Sequence, residues 1–254
     1  MQDGIRLDKY LVELGYFANR SRAEDAIKRE AVTVNGQVIT KAGTLINATL
    51  PKSVIKVQDA AQGYVSRAAL KLASALEHFY IDVRDKLALD LGASTGGFTQ
   101  ILLQKGAKHV IALDVGHNQI ADILRNDARV TVLEGINARH VTRSQLGGKQ
   151  FNLLVCDVSF ISLKLALPAS LDLALPGSLA VILVKPQFEA GKRALGKSGI
   201  IRDEQVGLAV AKEISYWFDN LPGWSTRGLC PSSIKGRDGN QEYILFGEKT
   251  CDTA

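Results

Sequence analysis

The sequence predicts a mostly parallel α/β domain that follows a small α+β module. From residue 64 onward, apolar strand-like runs alternate with helical stretches, which is typical of a parallel sheet with helices on both faces. Residues 5–57 instead show the order helix, helix, hairpin, strand. We therefore assign residues 1–58 to a first domain, residues 59–63 to a short linker and residues 64–254 to a second domain.

The composition is that of an ordinary soluble globular protein. The 254 residues include 31 Lys and Arg against 26 Asp and Glu, for a net charge of +5, and 46% of the residues are hydrophobic. These values exclude a wholly disordered chain. Three cysteines without C-x-x-C spacing favour neither a disulfide framework nor a zinc site, so we expect no metal. We also expect no secretory signal or membrane segment and a cytoplasmic location.

The first domain has clear signals for helices and a hairpin. Leucines recur at helical spacing in residues 6–17, and residues 21–24 (SRAE) have the form of a capping box, which predicts that Ser21 is the N-cap of a second helix. Asn-Gly at 35–36 between β-branched residues predicts a hairpin, and residues 53–57 predict a last strand.

The basic residues of this domain are concentrated near that helix start. Arg20 and Arg22 flank Ser21, where free backbone N–H groups and the helix dipole favour an anion. The total excess of positive charge is small, so the arrangement of the charges matters more than their number. From composition alone, a solvated surface remains the alternative.

The second domain contains seven candidate strands. They are residues 87–91, 110–113, 130–133, 151–156, 179–184, 224–230 and 243–246. Helical material separates most of them, but the last two lack a clear intervening helix, which predicts an antiparallel pair. Ligands of such folds bind at the carboxyl ends of the parallel strands.

A glycine-rich turn follows the first of these strands. Residues 90–99 (DLGASTGGFT) let the backbone approach a ligand closely, and Asp114 ends the next strand, where a carboxylate can bind ribose hydroxyls. The turn departs from the G-x-G-x-x-G pattern of nicotinamide-binding folds, and Asp90 suits an amino group better than a pyrophosphate. S-adenosylmethionine has both an amino acid end and an adenosine end. A tight turn that only packs a helix against the sheet is the alternative.

Charged residues at the ends of apolar strands mark a second candidate site. Asp157 and Lys185 each end such a strand, and Glu242 opens the final strand-like run. Lys71 and Arg67 are four residues apart, so both lie on one face of a helix. Any one of these residues alone is explained by a strand or helix end that meets water.

The motifs of both domains resemble known families. Residues 6–43 resemble an S4 domain, an RNA-binding module. The segments LDLGASTGGFTQ, CDVSFISL, LVKPQFEAGK and PSSIKGRDGNQEYILF resemble the FtsJ-like methyltransferase domain of the TlyA family, long labelled hemolysins. The resemblance implies a Rossmann-like S-adenosylmethionine-dependent methyltransferase domain preceded by a small α+β S4 RNA-binding domain. It also implies 2′-O-methylation of a cytidine ribose in ribosomal RNA.

The resemblance assigns roles to particular residues. It implies a catalytic tetrad of Lys71, Asp157, Lys185 and Glu242. It implies contacts to S-adenosylmethionine from Asp90, Gly92, Ala93, Ser94, Thr95, Gly96, Gly97, Asp114, Asn137 and Asp157. The RNA contacts that we expect are Arg6, Lys9, Arg20, Ser21, Arg22, Lys28 and Arg67.

The chemistry requires that the proton of the ribose 2′-hydroxyl leaves as the new bond forms. Lys185 is the expected residue to aim this hydroxyl, and Asp157 is expected to orient Lys185; which member of the tetrad takes the proton stays open. Residues 191–199 are predicted to form a basic loop over the substrate entrance, with a solvated loop as the alternative. The resemblance implies a cytidine of the large ribosomal subunit, and in longer members of the family one of the small subunit as well. This chain ends soon after its last strand, without the extra C-terminal helix of those members, so we expect the large subunit to be the substrate.

Two other classes of function remain as alternatives. The first is a non-catalytic RNA-binding or assembly factor that keeps the cofactor fold, and the complete tetrad speaks against it. The second is a membrane-lysing protein, as the hemolysin label suggests, but the sequence has no spanning segment and no strongly basic amphipathic helix.

Overall fold

The computed structural model describes residues 4–59, 61, 63–191, 199–236 and 238–250. It consists of two units, Met1–Gly63 and Tyr64–Ala254. Most of the predicted basic loop at 191–199 lies outside the described residues. Within the described ranges, no helix has the length and apolar character needed to cross a membrane.

The first unit contains two helices and two small sheets. Its elements are β1 (Gly4–Arg6), α1 (Leu7–Glu13), α2 (Arg20–Lys28), β2 (Val32–Val34), β3 (Gln37–Val38), β4 (Leu45–Asn47), a 3₁₀ helix (Lys52–Val54) and β5 (Ile55–Val57). β2 pairs in antiparallel fashion with β3 and β5, and β1 pairs with β4. The core is formed by buried apolar residues, among them Leu7, Leu11, Ile27, Val32 and Ile55.

The predicted hairpin is confirmed. It joins β2 to β3 through Asn35 and Gly36, whose φ angles of +50° and +78° are both positive. A two-residue turn of this kind needs positive φ at both positions, which Asn and Gly tolerate better than other residues. The predicted strand at 53–57 is shorter than expected, because its first half forms the 3₁₀ helix.

The predicted N-cap of the second helix is wrong. The helix begins at Arg20, and the side-chain oxygen of Asn19 accepts a hydrogen bond of 3.1 Å from the backbone N–H of Arg22. Asn is as good a cap as Ser, and it stands two residues earlier in the chain. Ser21 is therefore an exposed residue of the first helical turn.

The second unit is a seven-stranded sheet with helices. Its elements are α3 (Ala68–His78), β6 (Leu87–Leu91), α4 (Gly97–Gln104), β7 (His109–Asp114), α5 (Asp122–Arg125), β8 (Val130–Glu134), a 3₁₀ helix (Ala138–His140), β9 (Leu153–Cys156), α6 (Leu163–Ala166), α7 (Pro168–Leu173), β10 (Leu179–Val184), α8 (Pro186–Glu189), α9 (Glu204–Asp219), β11 (Trp224–Pro231) and β12 (Tyr243–Lys249). All seven predicted strands are confirmed, with ends that shift by three residues or fewer.

The strand order locates the ligand-binding edge of the sheet. The order is β8-β7-β6-β9-β10-β12-β11, and only the pairs that involve β12 are antiparallel, as predicted. The chain moves outward in one direction from β6 to β8 and then returns to the other side of β6 with β9. The crevice at the carboxyl ends of β6 and β9 is the topological switch point, where ligands bind in open α/β sheets.

The sheet separates two apolar clusters, because successive side chains of a strand point to opposite faces. Leu89 and Leu91 of β6 belong to the cluster that includes Phe218 of α9. Ala88 belongs to the opposite cluster, which includes Leu72 of α3. The expectation of helices on both faces is confirmed.

Candidate active site

The loop that follows β6 lies directly against the loop that follows β9. A Cβ atom on Gly92 would lie 2.9 Å from the carbonyl oxygen of Asp157, and the φ of Gly92 is +83°. Both features require glycine at this position. The close approach brings the glycine-rich turn and Asp157 to the two sides of one crevice.

Asp114 connects this turn to the end of β7. Its Oδ2 accepts a hydrogen bond of 2.8 Å from the N–H of Ser94, and its Oδ1 accepts one of 2.7 Å from the N–H of Gly116. The carboxylate is partly exposed, and each oxygen retains a further lone pair for a ligand. Asp114 therefore holds the two loops together and still presents an acceptor to the crevice.

The crevice consists of two adjoining cavities. The larger has a volume of about 480 Å³ and is lined by the loops that follow β6, β7, β8 and β9. The smaller has a volume of about 160 Å³ and extends to Lys185. Gly92, Ser94, Asp157 and Ser159 line both cavities, so the two lie next to each other in the crevice.

The structure brings most of the predicted cofactor-binding residues to this space. The larger cavity is lined by Gly92, Ser94, Asp114, Asn137 and Asp157, and the smaller one also by Ala93, Thr95 and Gly97. Asp90 and Gly96 line neither cavity. Gly96 packs against the side chain of Leu124 instead, where a Cβ atom would be only 2.2 Å from a methyl carbon.

Asp90 lies beneath the turn and faces α4. Strand alternation directs its side chain to the same face as Ala88, so the carboxyl group is fully buried. The Thr99 hydroxyl donates a hydrogen bond of 2.6 Å to Oδ2, while Oδ1 has no partner among the described residues. Burial disfavours the charged form and raises the pKa of Asp90 to about 7, although the Thr99 hydrogen bond opposes the shift.

The raised pKa predicts how stability depends on pH. Between its usual pKa of 3.8 and about 7, Asp90 binds more protons in the folded than in the unfolded protein. Its contribution to the free energy of unfolding is therefore complete below pH 4, declines as the pH rises towards 7 and changes no further above it. Urea unfolding of Asp90→Asn at pH 5 and pH 8 should lack this decline. Equal pH dependence in both proteins would contradict the prediction.

The first ion pair of the predicted tetrad joins Lys185 to Asp157. Lys185 Nζ lies 2.6 Å from Asp157 Oδ1, and it donates a hydrogen bond of 2.7 Å to Ser159 Oγ. The angle of the Asp157 contact falls outside hydrogen-bond geometry, so this contact is an ion pair defined by charge and distance. The ammonium group is thus held in one position by residues that line the smaller cavity.

The second ion pair joins Lys71 of α3 to Glu242, with 2.5 Å between Nζ and Oε2. β12 is antiparallel to β10 and Tyr243 pairs with Val184, so Glu242, just before β12, lies at the same edge of the sheet as Lys185, just after β10. Both side chains of the pair are more than nine-tenths buried. The tetrad thus forms two neutral pairs at one edge of the sheet.

Sequence reasoning missed three residues near these pairs. Ser159 accepts a hydrogen bond from Lys185. Its position two residues after Asp157, in the segment CDVSF, is the sequence feature that could have identified it. Phe160 is 90% exposed with a φ of +64°, and its ring centre lies 5.0 Å from that of Phe188. It borders the larger cavity, although a surface aromatic residue carries no helical or strand pattern.

Gly236 is the third missed residue, and its close approach to Glu242 predicts the effect of a substitution. A Cβ atom there would lie 2.5 Å from Glu242 Oε1, so Gly236→Ala must displace the Glu242 carboxylate. We expect a loss of about 1–3 kcal/mol in the free energy of unfolding and a clear loss of catalytic activity. Gly207→Ala is the matched control, because its added Cβ atom would make only ordinary van der Waals contacts among the described residues, the nearest at 3.4 Å from the Tyr243 hydroxyl oxygen. Equal behaviour of the two variants in thermal unfolding and activity assays would contradict the prediction.

The predicted RNA-binding residues of the first unit are mostly at its surface. Arg6, Lys9, Arg20, Ser21 and Lys28 are exposed. Arg22 is half-buried, and its guanidinium donates a hydrogen bond of 3.4 Å to the carbonyl oxygen of residue 61. Arg67 belongs to the second unit, where it is half-buried at the start of α3.

Family models match both units. Residues 64–249 match the FtsJ-like methyltransferase family, and residues 5–49 match the S4 domain. The fold and the crevice therefore define an S4 domain joined to an FtsJ-like methyltransferase domain, a class whose members in general depend on S-adenosylmethionine.

Comparison with whole proteins narrows this class. The 16S/23S rRNA (cytidine-2′-O)-methyltransferase TlyA of Mycobacterium tuberculosis is 42% identical over 98% of this chain and 91% of its own length. The 23S rRNA (cytidine-2′-O)-methyltransferase TlyA of Campylobacter jejuni is 35% identical over 90% of this chain and 93% of its own length. A solved Streptococcus thermophilus structure with a provisional hemolysin name is 37% identical. The match covers 100% of this chain and 92% of that one, with a TM-score of 0.76. This chain belongs to the TlyA family.

Proposed function

We propose that this protein transfers a methyl group from S-adenosylmethionine to the 2′-hydroxyl of a cytidine in ribosomal RNA, in the cytoplasm. The TlyA relatives are named for this reaction. The observation that carries the proposal is the Lys185–Asp157 pair, which lines a crevice large enough for a cofactor.

The larger cavity suits S-adenosylmethionine. Its volume of about 480 Å³ falls within the ~300–1,000 Å³ of small-molecule sites. Asp114 offers acceptors for the ribose hydroxyls, and Asn137 lines the same cavity beyond the end of β8. The bound cofactor would supply an electrophilic methyl group, which must point into the smaller cavity to meet the substrate.

The residues of the smaller cavity would position the ribose. Lys185 Nζ can donate a hydrogen bond to the 2′-oxygen, and its contacts with Asp157 and Ser159 hold it in one orientation. The hydroxyl proton leaves as the carbon–oxygen bond forms, and either Asp157 or neutral Lys185 can accept it. The dependence of the transfer rate on pH in Asp157→Asn distinguishes these two acceptors.

Phe160 would stack on the target base. An exposed aromatic ring beside the cavity suits an unpaired nucleobase, and such stacking contributes about 1–3 kcal/mol. We expect Phe160→Ala to raise KM for RNA at least about fivefold with a smaller change in kcat. The control is Tyr80→Ala, which removes a 94% exposed aromatic residue that borders neither cavity. An unchanged KM in the Phe160 variant would contradict the role.

The test of the function uses the full chain, labelled S-adenosylmethionine and ribosomal subunits that lack the modification. We expect label at the 2′-oxygen of a cytidine, and separate reactions with large and small subunits identify the substrate. Subunit binding without transfer would instead support the non-catalytic assembly factor. Lysis of membranes by a protein lacking both Asp157 and Lys185 would support the hemolysin reading.

A further inference from the structure

Two arginines of the S4 domain meet at one buried carboxylate. Asp8, in the first turn of α1, is fully buried. Arg6 donates two hydrogen bonds to it, from Nε to Oδ1 at 3.1 Å and from Nη2 to Oδ2 at 2.7 Å. Arg20, at the start of α2, donates from Nη2 to the same Oδ2 at 3.0 Å. Asp8 therefore connects the beginnings of both helices through two guanidinium groups.

The shared oxygen fixes the distance between the two arginines. Their Nη2 atoms can be no farther apart than the sum of 2.7 and 3.0 Å. Two positive charges this close repel each other, and the attraction of both to an anion between them offsets this repulsion. The hydrogen bonds from Arg6 and Arg20 hold the pKa of the Asp8 carboxyl well below its usual range, which favours its charged form.

Both guanidinium groups remain open to solvent on their other side. The side chains of Arg6 and Arg20 are 47% and 53% exposed. Arg6 Nη1 and Arg20 Nε and Nη1 make no hydrogen bond within the described part of the chain. Glu24 is the only other carboxylate within 4.0 Å of either group among the described residues, and it is itself partly exposed.

Gly43 provides the surface against which Arg6 lies. A Cβ atom on Gly43 would lie 3.2 Å from Arg6 Nη1, which is tighter than ordinary van der Waals contact, and 3.5 Å from Cζ, which is an ordinary contact. The segment containing Gly43 is tied to the start of α1, because Leu7 N–H donates to Thr44 O and Asp8 N–H to Ala42 O. The guanidinium of Arg6 is thus held by Asp8 at one edge and lies beside Gly43.

We propose that Arg6 and Arg20 form one binding site for a single phosphate group of the RNA backbone, and that Asp8 and Gly43 are positioning residues that set its geometry. This inference rests on the proposed RNA substrate. Paired guanidinium groups with free N–H donors match the oxygens of a phosphodiester, and charge-assisted hydrogen bonds of this kind are about twice as strong as neutral ones. The carboxylate beneath the pair fixes the arginines without contacting RNA.

The decisive variant is Asp8→Asn, because it makes the protein more positive. Simple electrostatic attraction predicts tighter RNA binding, whereas loss of the bridging anion separates the arginines and predicts weaker binding. We expect Kd for rRNA to rise at least about tenfold. The slope of log Kd against the logarithm of the salt concentration should fall by about one phosphate contact. Glu13→Gln is the matched control, with the same charge change at an exposed residue whose ion pair, among the described residues, is with Lys9 at 3.7 Å.

Gly43→Ala tests the same site without a change of charge. Its backbone conformation suits alanine, so only the contact with Arg6 changes. We expect a loss of about threefold or more in RNA affinity that disappears when Arg6 is already replaced by Gln. If Asp8→Asn lowers the melting temperature so far that the protein does not fold, the comparison of Gly43→Ala with and without Arg6→Gln tests the proposed phosphate site instead.

Direct binding, without cofactor, separates this inference from the proposed function. The full chain is titrated with rRNA over a range of salt concentrations, and methyl transfer is assayed in parallel. Binding of folded Asp8→Asn that matches or exceeds that of Glu13→Gln would overturn the site. A Gly43→Ala effect that persists without Arg6 would do the same. Failure of transfer in the wild type with these binding changes intact would count against the proposed function alone.

Discussion

Methyl transfer by Lys185→Met is expected to fall by about 10²–10⁴-fold. Lys185 lines the smaller cavity with a positive charge, and methionine keeps much of the side-chain volume while removing every hydrogen-bond donor. The loss should appear in kcat, because the residue acts on the reacting hydroxyl. Affinity for S-adenosylmethionine, measured by calorimetry, should change little, since the larger cavity is lined by other residues.

Ser159→Ala is the graded control for this experiment. It removes the 2.7 Å hydrogen bond to Lys185 and leaves the ion pair with Asp157. One hydrogen bond to a charged group contributes about 1.5–3 kcal/mol, so the rate should fall less than in the Lys185 variant. A Lys185→Met rate close to that of the wild type would exclude Lys185 from the reaction.

Lys71→Met is expected to lower the free energy of unfolding by about 3–5 kcal/mol. The substitution leaves the Glu242 carboxylate without its partner in a site where both side chains are more than nine-tenths buried. Removal of one member of a buried pair is costly because the remaining charge has lost its hydration and its counterion. Urea unfolding with the full chain measures the change.

The double variant Lys71→Met, Glu242→Gln separates stability from activity. It removes both charges, so we expect most of the lost stability to return while methyl transfer stays low. Lys164→Met is the matched control, because its pair with Glu213 is solvent-exposed and should contribute less than about 1 kcal/mol. Equal destabilisation by Lys71→Met and Lys164→Met would contradict the buried pair.

Local patterns were sufficient for most of the fold. The strands are short apolar runs, so their type and approximate bounds follow from neighbouring residues, and the hairpin at Asn35–Gly36 follows from two residues that tolerate positive φ. The N-cap failed because Asn19 and Ser21 are both good caps, and the choice between them depends on how the preceding turn packs.

By itself, the sequence determined the two-part architecture, the residue types of the predicted tetrad and the positions of Asp157, Lys185 and Glu242 beside strand ends. Only the tertiary structure decided which charges meet. Lys71 and Glu242 are 171 positions apart, and Asp8 and Arg20 are 12 apart on different helices. It also decided that Asp90 faces α4 instead of the crevice. Pairing and burial depend on the distances between side chains from separate elements, which no local periodicity encodes, whereas strand and turn preferences are properties of adjacent residues.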